Sequence, residues 1–169
     1  MDKELNLIEN ANPSDSLAHG FVVVVDSDGK ILVKQHNMIT ADGRKYLRNL
    51  LANAMISSKI KTDMAKIDNI YVGSGTDITV PGSVFDESTL LCKKALTQDN
   101  IIVETGDTDK GCIKITCEIK ADEDLNNNIN PITEFGLLRG TKLFSRLVHE
   151  PVYLNANITS FTINYYIYF

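Results

Sequence analysis

The sequence contains no tryptophan and only three cysteines among its 169 residues. Cys92, Cys112 and Cys117 form no Cys-x-x-Cys pair, which argues against both a disulfide framework and a zinc cluster. We expect small buried thiols, with Cys112 and Cys117 on opposite faces of one strand because their separation is odd. This cysteine usage predicts synthesis in a reducing cytosol.

Long apolar runs and an excess of basic residues are also missing. No stretch approaches the roughly 20 apolar residues that span a bilayer, and no basic segment followed by an apolar one indicates a signal peptide. The formal net charge is −5, whereas a duplex nucleic-acid binder needs an excess of Lys and Arg. We therefore expect neither a membrane nor a nucleic acid as partner.

The sequence motifs of enzyme chemistry are absent too. Gly73-x-Gly75 follows a predicted strand but lacks the third glycine and the helix of a nucleotide-binding fingerprint. His19, His36 and His149 have no second ligand at the spacing of a metal pair, and there is no Gly-x-Ser-x-Gly elbow. The sequence therefore predicts a protein that is not an enzyme, with no catalytic residue, no cofactor and no metal.

What is present is a strong β pattern that begins at Phe21. Four valines follow Phe21, and the turn residues Asp26-Ser27-Asp28-Gly29 lead to an apolar return strand that starts at Ile31, which predicts a hairpin over residues 21–37. A calcium loop is disfavoured because an EF-hand needs Glu six residues after its glycine, where Gln35 stands. Residues 1–20 show no period and predict an extended N-terminal arm.

One helix is predicted from about residue 41 to 57. Thr40 can cap it, and Asp42 lies in the first turn, where the helix dipole favours negative charge. The expected buried stripe consists of Tyr46, Leu47, Leu50, Leu51, Ala54 and Met55. The opposite face, with Arg44, Lys45, Arg48 and Asn49, is expected to be solvated.

Strand patterns dominate the rest of the chain. Residues 113–120 and 161–169 alternate apolar and polar side chains, and apolar runs separated by turns raise the total to about eight strands. Two packed sheets bury these faces most simply. We predict a mainly β protein with one helix, an antiparallel, jelly-roll-like β-sandwich, whose single domain covers residues 21–169.

The order of short motifs from residue 39 onward resembles a family of small bacteriophage tail-associated proteins. The strand-plus-GxG segment is Ile67–Gly75, and the acidic residue with a short apolar segment is Asp86–Leu91. An E-x-G-L segment (Glu134–Leu137), an apolar-Ser-Arg segment (Leu143–Arg146) and an alternating terminal strand (Thr159–Phe169) follow in order. The preceding helix shares the Thr-x-x-Gly start of the family.

The resemblance implies a virion structural protein of a phage tail, baseplate or fibre-attachment region, synthesised in the cytoplasm of a bacterial host. It would act by self-assembly into rings or trimers and by bridging neighbouring tail proteins. The residues carried over as structural or assembly residues are Gly73, Gly75, Glu134, Gly136 and Arg146. The alternative is a receptor- or glycan-binding β-sandwich at a fibre tip, although the aromatic platform it needs is hard to find when tyrosines concentrate in the last strand.

Glu134 and Arg146 are expected to form an ion pair within a hairpin. A three-residue loop, Arg139 to Thr141, would place them directly opposite each other on one face, whereas a two-residue or four-residue loop would put them on opposite faces. We predict the three-residue loop. Their role would be to hold the register of the hairpin and thus the shape of an assembly surface.

Overall fold

The computed structural model describes residues 19–56, 66–77, 85–104, 112–125, 131–155 and 158–168. These residues form nine strands and one helix: β1 (His19–Asp26), β2 (Ile31–Ile39), α1 (Ala41–Ile56), β3 (Asn69–Gly73), β4 (Leu90–Ala95), β5 (Ile101–Glu104), β6 (Cys112–Lys120), β7 (Ile132–Arg139), β8 (Lys142–Val152) and β9 (Ser160–Tyr168). The prediction of a mainly β chain with one helix is confirmed. Residues 1–18 of the predicted arm lie outside the described residues, and His19 and Gly20 belong to β1.

The strands form two antiparallel sheets that share β2. Sheet A has the order β2-β1-β9-β6-β5, and sheet B has the order β4-β3-β7-β8-β2. Gly20–Val25 of β1 pair with the first part of β2, whereas Met38 and Ile39 at its end pair with β8. β2 therefore passes from one sheet to the other, and the predicted β-sandwich is confirmed.

One apolar core lies between the two sheets. Sheet A contributes alternating residues of β1, β6 and β9, and sheet B contributes residues of β3, β7 and β8. The largest members that are fully buried include Phe135, Phe144, Phe161 and Tyr165. Because β9 lies between β1 and β6, the last strand of the chain completes this core.

The hairpin of β1 and β2 forms as the sequence predicts. The side chain of Asp26 accepts hydrogen bonds from the backbone N–H groups of Asp28 and Lys30, at 3.0 and 2.9 Å. Gly29 has a φ of +81°, which a residue with a side chain rarely adopts. The Asp-x-Asp-Gly segment is thus a turn.

The helix begins at the predicted cap and packs on β8. The hydroxyl of Thr40 accepts a hydrogen bond from the N–H of Gly43 (3.0 Å) and donates one to the carbonyl of Leu143 (2.6 Å). A Cβ on Gly43 would lie 2.1 Å from the backbone oxygen of Phe144, so only glycine permits this approach. The Thr-x-x-Gly start therefore serves helix packing. No helix among the described residues is long and apolar enough to cross a membrane.

The predicted buried stripe of the helix is only partly correct. Tyr46 and Leu47 pack against the core, and the Tyr46 ring meets Phe144 edge-on. Leu50, however, is exposed. The side chains of residues 51–56 lie outside the description. Arg44, Lys45, Arg48 and Asn49 are exposed, as predicted.

Candidate functional site

The structure brings the five predicted structural residues together in one cluster. Glu134 of β7 lies opposite Gly73 of β3, and Gly136 of β7 lies opposite Arg146 of β8. Gly75 follows β3 and contacts the Glu134 side chain. Three strands that are distant in sequence thus contribute to what we call the Glu134 cluster. Its further member is Tyr71, which lies opposite Gly136.

The carboxylate of Glu134 is the centre of this cluster. Its Oε1 accepts hydrogen bonds from the Tyr71 hydroxyl at 2.5 Å and from Nε of Arg146 at 2.7 Å. Glu134 is only 3% exposed, and the side chain of Arg146 is 16% exposed. A buried carboxylate of this kind is stable only with such partners, since an unpaired charge in a protein interior costs several kcal/mol.

The electrostatics of the cluster keep the proton on Tyr71 and the positive charge on Arg146. Burial and the adjacent Glu134 carboxylate both raise the pKa of Tyr71 far above its ordinary value. Burial acts against the charge on Arg146, but the hydrogen bond and the charge of Glu134 outweigh it and raise its pKa. Oε1 is thus occupied by two donors, an arrangement that suits a fixed structural ion pair.

The glycines of the cluster are needed for close packing. A Cβ on Gly75 would lie 2.0 Å from Oε2 of Glu134. A Cβ on Gly136 would lie 2.3 Å from the Tyr71 ring and 2.5 Å from the backbone oxygen of Ser145. Gly73 is less crowded, with 3.1 Å to the backbone oxygen of Thr89. Gly75 and Gly136 therefore let the chain pass directly over the buried side chains.

The turn between β7 and β8 differs from the predicted one. Arg139 lies opposite Lys142, which leaves a two-residue turn of Gly140 and Thr141. Gly140 has a φ of +62°, the left-handed conformation that such tight hairpins require. The predicted three-residue loop is wrong, because a glycine in this conformation suffices for the shorter turn.

A bulge after this turn restores the predicted ion pair. Leu138 lies opposite Leu143, but Leu137 lies opposite Ser145, so Phe144 is an extra residue in β8. This extra residue shifts the register by one and reverses which side chains share a face. The sequence offers no turn-type signal for a bulge at this position.

With the bulge, Glu134 lies opposite Val148, two residues from Arg146. Side chains two residues apart on a strand share a face, so the two charged groups meet diagonally. The expected pairing of Glu134 with Arg146 is therefore confirmed, although the predicted loop length is not.

The Glu134 cluster also holds the backbone on both sides of residues 78–84. Nη1 of Arg146 donates to the carbonyl of Asp77 at 2.7 Å, and the Thr133 hydroxyl donates to the carbonyl of Gly75 at 2.8 Å. On the other side, the Phe85 ring packs against Tyr71, with centroids 4.8 Å apart. Residues 78–84 themselves lie outside the description. The cluster thus fixes where the chain leaves and re-enters sheet B.

A second buried polar group lies where β2 changes sheets, and the sequence analysis missed it. The amide of Asn37 donates to the Ser145 hydroxyl at 2.8 Å, and both side chains contact the hydroxyl of Tyr165. Burial raises the pKa of Tyr165. Tyr165 is an inward residue of the alternating β9, and Ser145 belongs to the apolar-Ser-Arg motif, but neither signal indicates their meeting.

The cysteines and histidines occupy separate places in the sandwich. All three cysteines are free and buried, and burial raises the pKa of Cys92 to about 12, which disfavours thiolate chemistry. Cys112 and Cys117 lie on opposite faces of β6, as predicted. His149 stacks on Phe135, with ring centroids 4.7 Å apart, whereas His19 and His36 lie on the outer face of sheet A.

The two outermost strands of the sheets differ in character. β5 is the outer strand of sheet A, and its Ile101, Ile102 and Val103 are all exposed, Val103 by 68%. β4 is the outer strand of sheet B and carries Lys93 and Lys94. Lysines on an outer strand discourage pairing with another strand, whereas β5 has a single charged residue, Glu104 at its end.

Comparison with known proteins gives no relative from which a function could be transferred. No protein-family model, no curated protein and no solved structure matches this chain. The functional argument therefore depends on the geometry of the sandwich and on the motifs of the sequence.

Proposed function

We propose that this protein is a structural component of a bacteriophage tail, baseplate or fibre-attachment region. It acts by self-assembly and by bridging neighbouring tail proteins. The motif order from residue 39 onward supports the placement in a virion. The observation that carries the assembly function is the edge of β5, which pairs with β6 alone among the described strands and has three exposed apolar residues, Ile101, Ile102 and Val103.

The β5 edge is suited to association with another chain. Ile102 is 48% exposed and Val103 68% exposed, and they lie on opposite faces of the same short strand. Burial of such side chains contributes about 25 cal/mol per Å² of apolar surface, in addition to the backbone hydrogen bonds of a new strand pair. Association through β5 would therefore bury the apolar side chains and provide hydrogen-bond partners for the backbone groups at the edge.

The other outer strand, β4, shows how an edge is protected. Nζ of Lys94 in β4 donates to the carbonyl of Glu118 in β6 and pairs with Asp124, both at 2.8 Å. The charged Lys93 is exposed, and the register of β3 and β4 shifts between Val72 and Gly73. Charged side chains and a register shift both oppose edge-to-edge pairing, and Ile101–Val103 in β5 include no charged residue.

The Glu134 cluster supports the same function in another way. It lies among the E-x-G-L and apolar-Ser-Arg motifs and fixes the hairpin of β7 and β8 to β3. A module that repeats in an assembly needs a rigid body, since a flexible subunit loses conformational entropy at every contact. The cluster provides this rigidity through the two donors, Tyr71 and Arg146, that bind Oε1 of Glu134.

Sedimentation velocity of the full chain across a concentration series tests the assembly function. We expect the wild-type protein to sediment as an oligomer and Val103→Lys to sediment as a monomer, because a lysine on the edge blocks strand addition. The matched control is Ile31→Lys, which changes an isoleucine that is 53% exposed at the start of β2, an interior strand. Ile31→Lys should sediment like the wild type.

Two results would contradict assembly through β5. One is a wild-type protein that remains monomeric at every concentration. The other is a Val103→Lys protein that keeps the oligomeric state of the wild type and of Ile31→Lys. Circular dichroism of the three proteins shows whether each variant has kept its β structure, so a misfolded variant is recognised.

A further inference from the structure

The apolar face of sheet A extends beyond the buried core at β5. Ile101 lies opposite Ile115 of β6, which is only 2% exposed, and Val103 lies opposite Ile113, which packs against the core. Side chains directly opposite each other on paired strands share a face, so Ile101 and Val103 belong to the core face. They are nevertheless 39% and 68% exposed. The core face therefore has apolar surface at β5 that another chain segment could bury.

The backbone edge of β5 runs beside this apolar surface. Among the described strands β5 pairs with β6 alone, so the N–H and C=O groups on its other side bond to no described strand. The opposite face of β5 carries Ile102, which is 48% exposed. An added strand would hydrogen-bond to this edge and would place side chains beside apolar residues on both faces. The segment that fits such an edge has adjacent apolar residues.

The predicted N-terminal arm contains a segment of this composition. Its densest apolar run is Leu5-Asn6-Leu7-Ile8, whereas residues 9–16 contain a single hydrophobic residue, Ala11. Leu7 and Ile8 are adjacent, so in a strand they point to opposite faces. This is the arrangement of Ile102 and Val103 in β5, which are adjacent and both exposed. The arm therefore offers one apolar residue to each face of the β5 edge.

One antiparallel register matches the residues of the two segments. Its pairs are Leu7 with Val103, Ile8 with Ile102, and Asn6 with Glu104. Apolar side chains then meet on both faces of the strand pair, and the Asn6 amide can donate a hydrogen bond to the Glu104 carboxylate. A shift by two residues would place Glu4 opposite Glu104, where the like charges would repel each other. Charge and apolar pattern thus favour the same register.

The place where the arm joins sheet A favours pairing between two copies of the chain. One row across the sheet consists of His19, Tyr168, Cys112 and Glu104, so β1 begins level with the end of β5. A strand added outside β5 lies four strand spacings from β1, about 19 Å. To pair antiparallel with β5 of their own chain, the arm residues would also have to run about 10 Å back along β5. The connecting residues 10–18 reach only about 30 Å in all.

A direct return of the arm to β5 of its own chain is disfavoured as well. It would produce a parallel pair, whereas every strand pair of the described residues is antiparallel. Parallel pairing is slightly less stable per residue. The arm of a neighbouring copy has neither restriction.

We propose that residues 6–8 of one copy add a strand to β5 of a neighbouring copy. This inference rests on the proposed assembly through β5 and names the segment that pairs there. Each copy then contributes one edge and one arm, a contact that closes into a ring or, when two copies exchange arms, into a dimer. Pairing of two β5 strands is less favoured, because their full antiparallel register would place each Glu104 opposite the apolar Ile101.

Two full-length variants with complementary defects test the proposal by sedimentation velocity. Leu7→Pro removes a backbone N–H from the arm segment, whereas Val103→Lys blocks the edge of β5. We expect each variant alone to self-associate at least about tenfold more weakly than the wild type. Mixed in equal amounts they should form a heterodimer, because the arm of Val103→Lys can pair with the edge of Leu7→Pro. The matched control is Ala11→Pro, a proline in the same arm outside the pairing segment, which should sediment like the wild type.

The outcomes separate the arm from the edge. If Leu7→Pro sediments like the wild type while Val103→Lys is monomeric, the arm inference is overturned and assembly through β5 remains. A mixture without heterodimer, or equal dissociation of Ala11→Pro and Leu7→Pro, also overturns the arm inference. A wild-type protein that is monomeric at every concentration contradicts assembly through β5 itself. Circular dichroism identifies a misfolded variant, and Ile8→Lys then replaces Leu7→Pro as the arm variant.

Discussion

At the scale of single residues, the clearest feature is a buried carboxylate whose charge depends on one arginine. Glu134 shares its Oε1 between Tyr71 and Arg146, and it lies beneath the backbone of Gly75. In such a buried ion pair, removal of one partner lowers the free energy of unfolding much more than removal of both. The reason is that the remaining charge stays buried, where water solvates it poorly.

Arg146→Met should lower the free energy of unfolding by about 3–5 kcal/mol, since it leaves Glu134 with an uncompensated buried charge. The double variant Glu134→Gln with Arg146→Met should lose less than the sum of the two single variants. Urea denaturation measures all three. Arg48→Met, at an exposed helix position, serves as the control and should change stability by less than about 0.5 kcal/mol.

Additive losses in this cycle would contradict the coupling of Glu134 and Arg146. If the double variant lost the sum of the single losses within about 0.5 kcal/mol, the two residues would contribute independently. The cluster would then be an apolar contact region with two incidental charges.

At the scale of structural elements, α1 depends on a cap that is also a tertiary contact. Thr40 receives the N–H of Gly43 and bonds to the carbonyls of Leu143 and Phe144, at the bulge of β8. One hydroxyl therefore joins the start of the helix to the strand on which it packs.

Thr40→Ala should destabilise the protein by about 1–2 kcal/mol, because it removes the cap and the hydroxyl that donates to the carbonyl of Leu143. Thr40→Ser keeps the hydroxyl and should cost clearly less. Thermal and urea unfolding of the two variants provide the comparison. Equal losses for Thr40→Ala and Thr40→Ser would mean that the methyl group matters and the hydroxyl does not.

The sequence predicts an element well when the residues that determine it lie within or next to that element. The hairpin of β1 and β2 follows from a valine run and an Asp-Ser-Asp-Gly turn, and α1 follows from Thr40 and its apolar period. The register of β7 and β8 does not, because the bulge at Phe144 arises from packing and has no turn signal. Leu50 was misassigned for a similar reason, since which helix residues become covered is a tertiary property.

The sequence predicts which residues belong to the candidate site but not where in the fold they meet. The motifs supply Gly73, Gly75, Glu134, Gly136 and Arg146, and the structure joins them through pairing between β3, β7 and β8. Tyr71 was missed because its partner across the sheet is a glycine, and only the register shows that its ring fills that space. The stacking of His19 on Tyr168 was missed because β9 lies beside β1, a long-range pairing that no local pattern specifies.

At the scale of the whole molecule, the sandwich has one protected outer strand and one open outer strand. Lys94 of β4 is engaged with sheet A, and β5 presents three exposed apolar residues. Repeated contacts of one chain usually close into symmetric rings or dimers. A strand edge at one end of sheet A therefore favours an assembly in which β5 of each copy meets a neighbouring chain.

The proposed tail function is tested most directly by a cryo-EM reconstruction of phage particles from a lysate in which this chain is produced. We predict repeated copies in the tail, baseplate or fibre-attachment region, with β5 of each copy paired to a strand of a neighbour at the usual spacing of about 4.8 Å. A particle that lacks the chain, or a map in which β5 faces solvent in every copy, would contradict the proposed function.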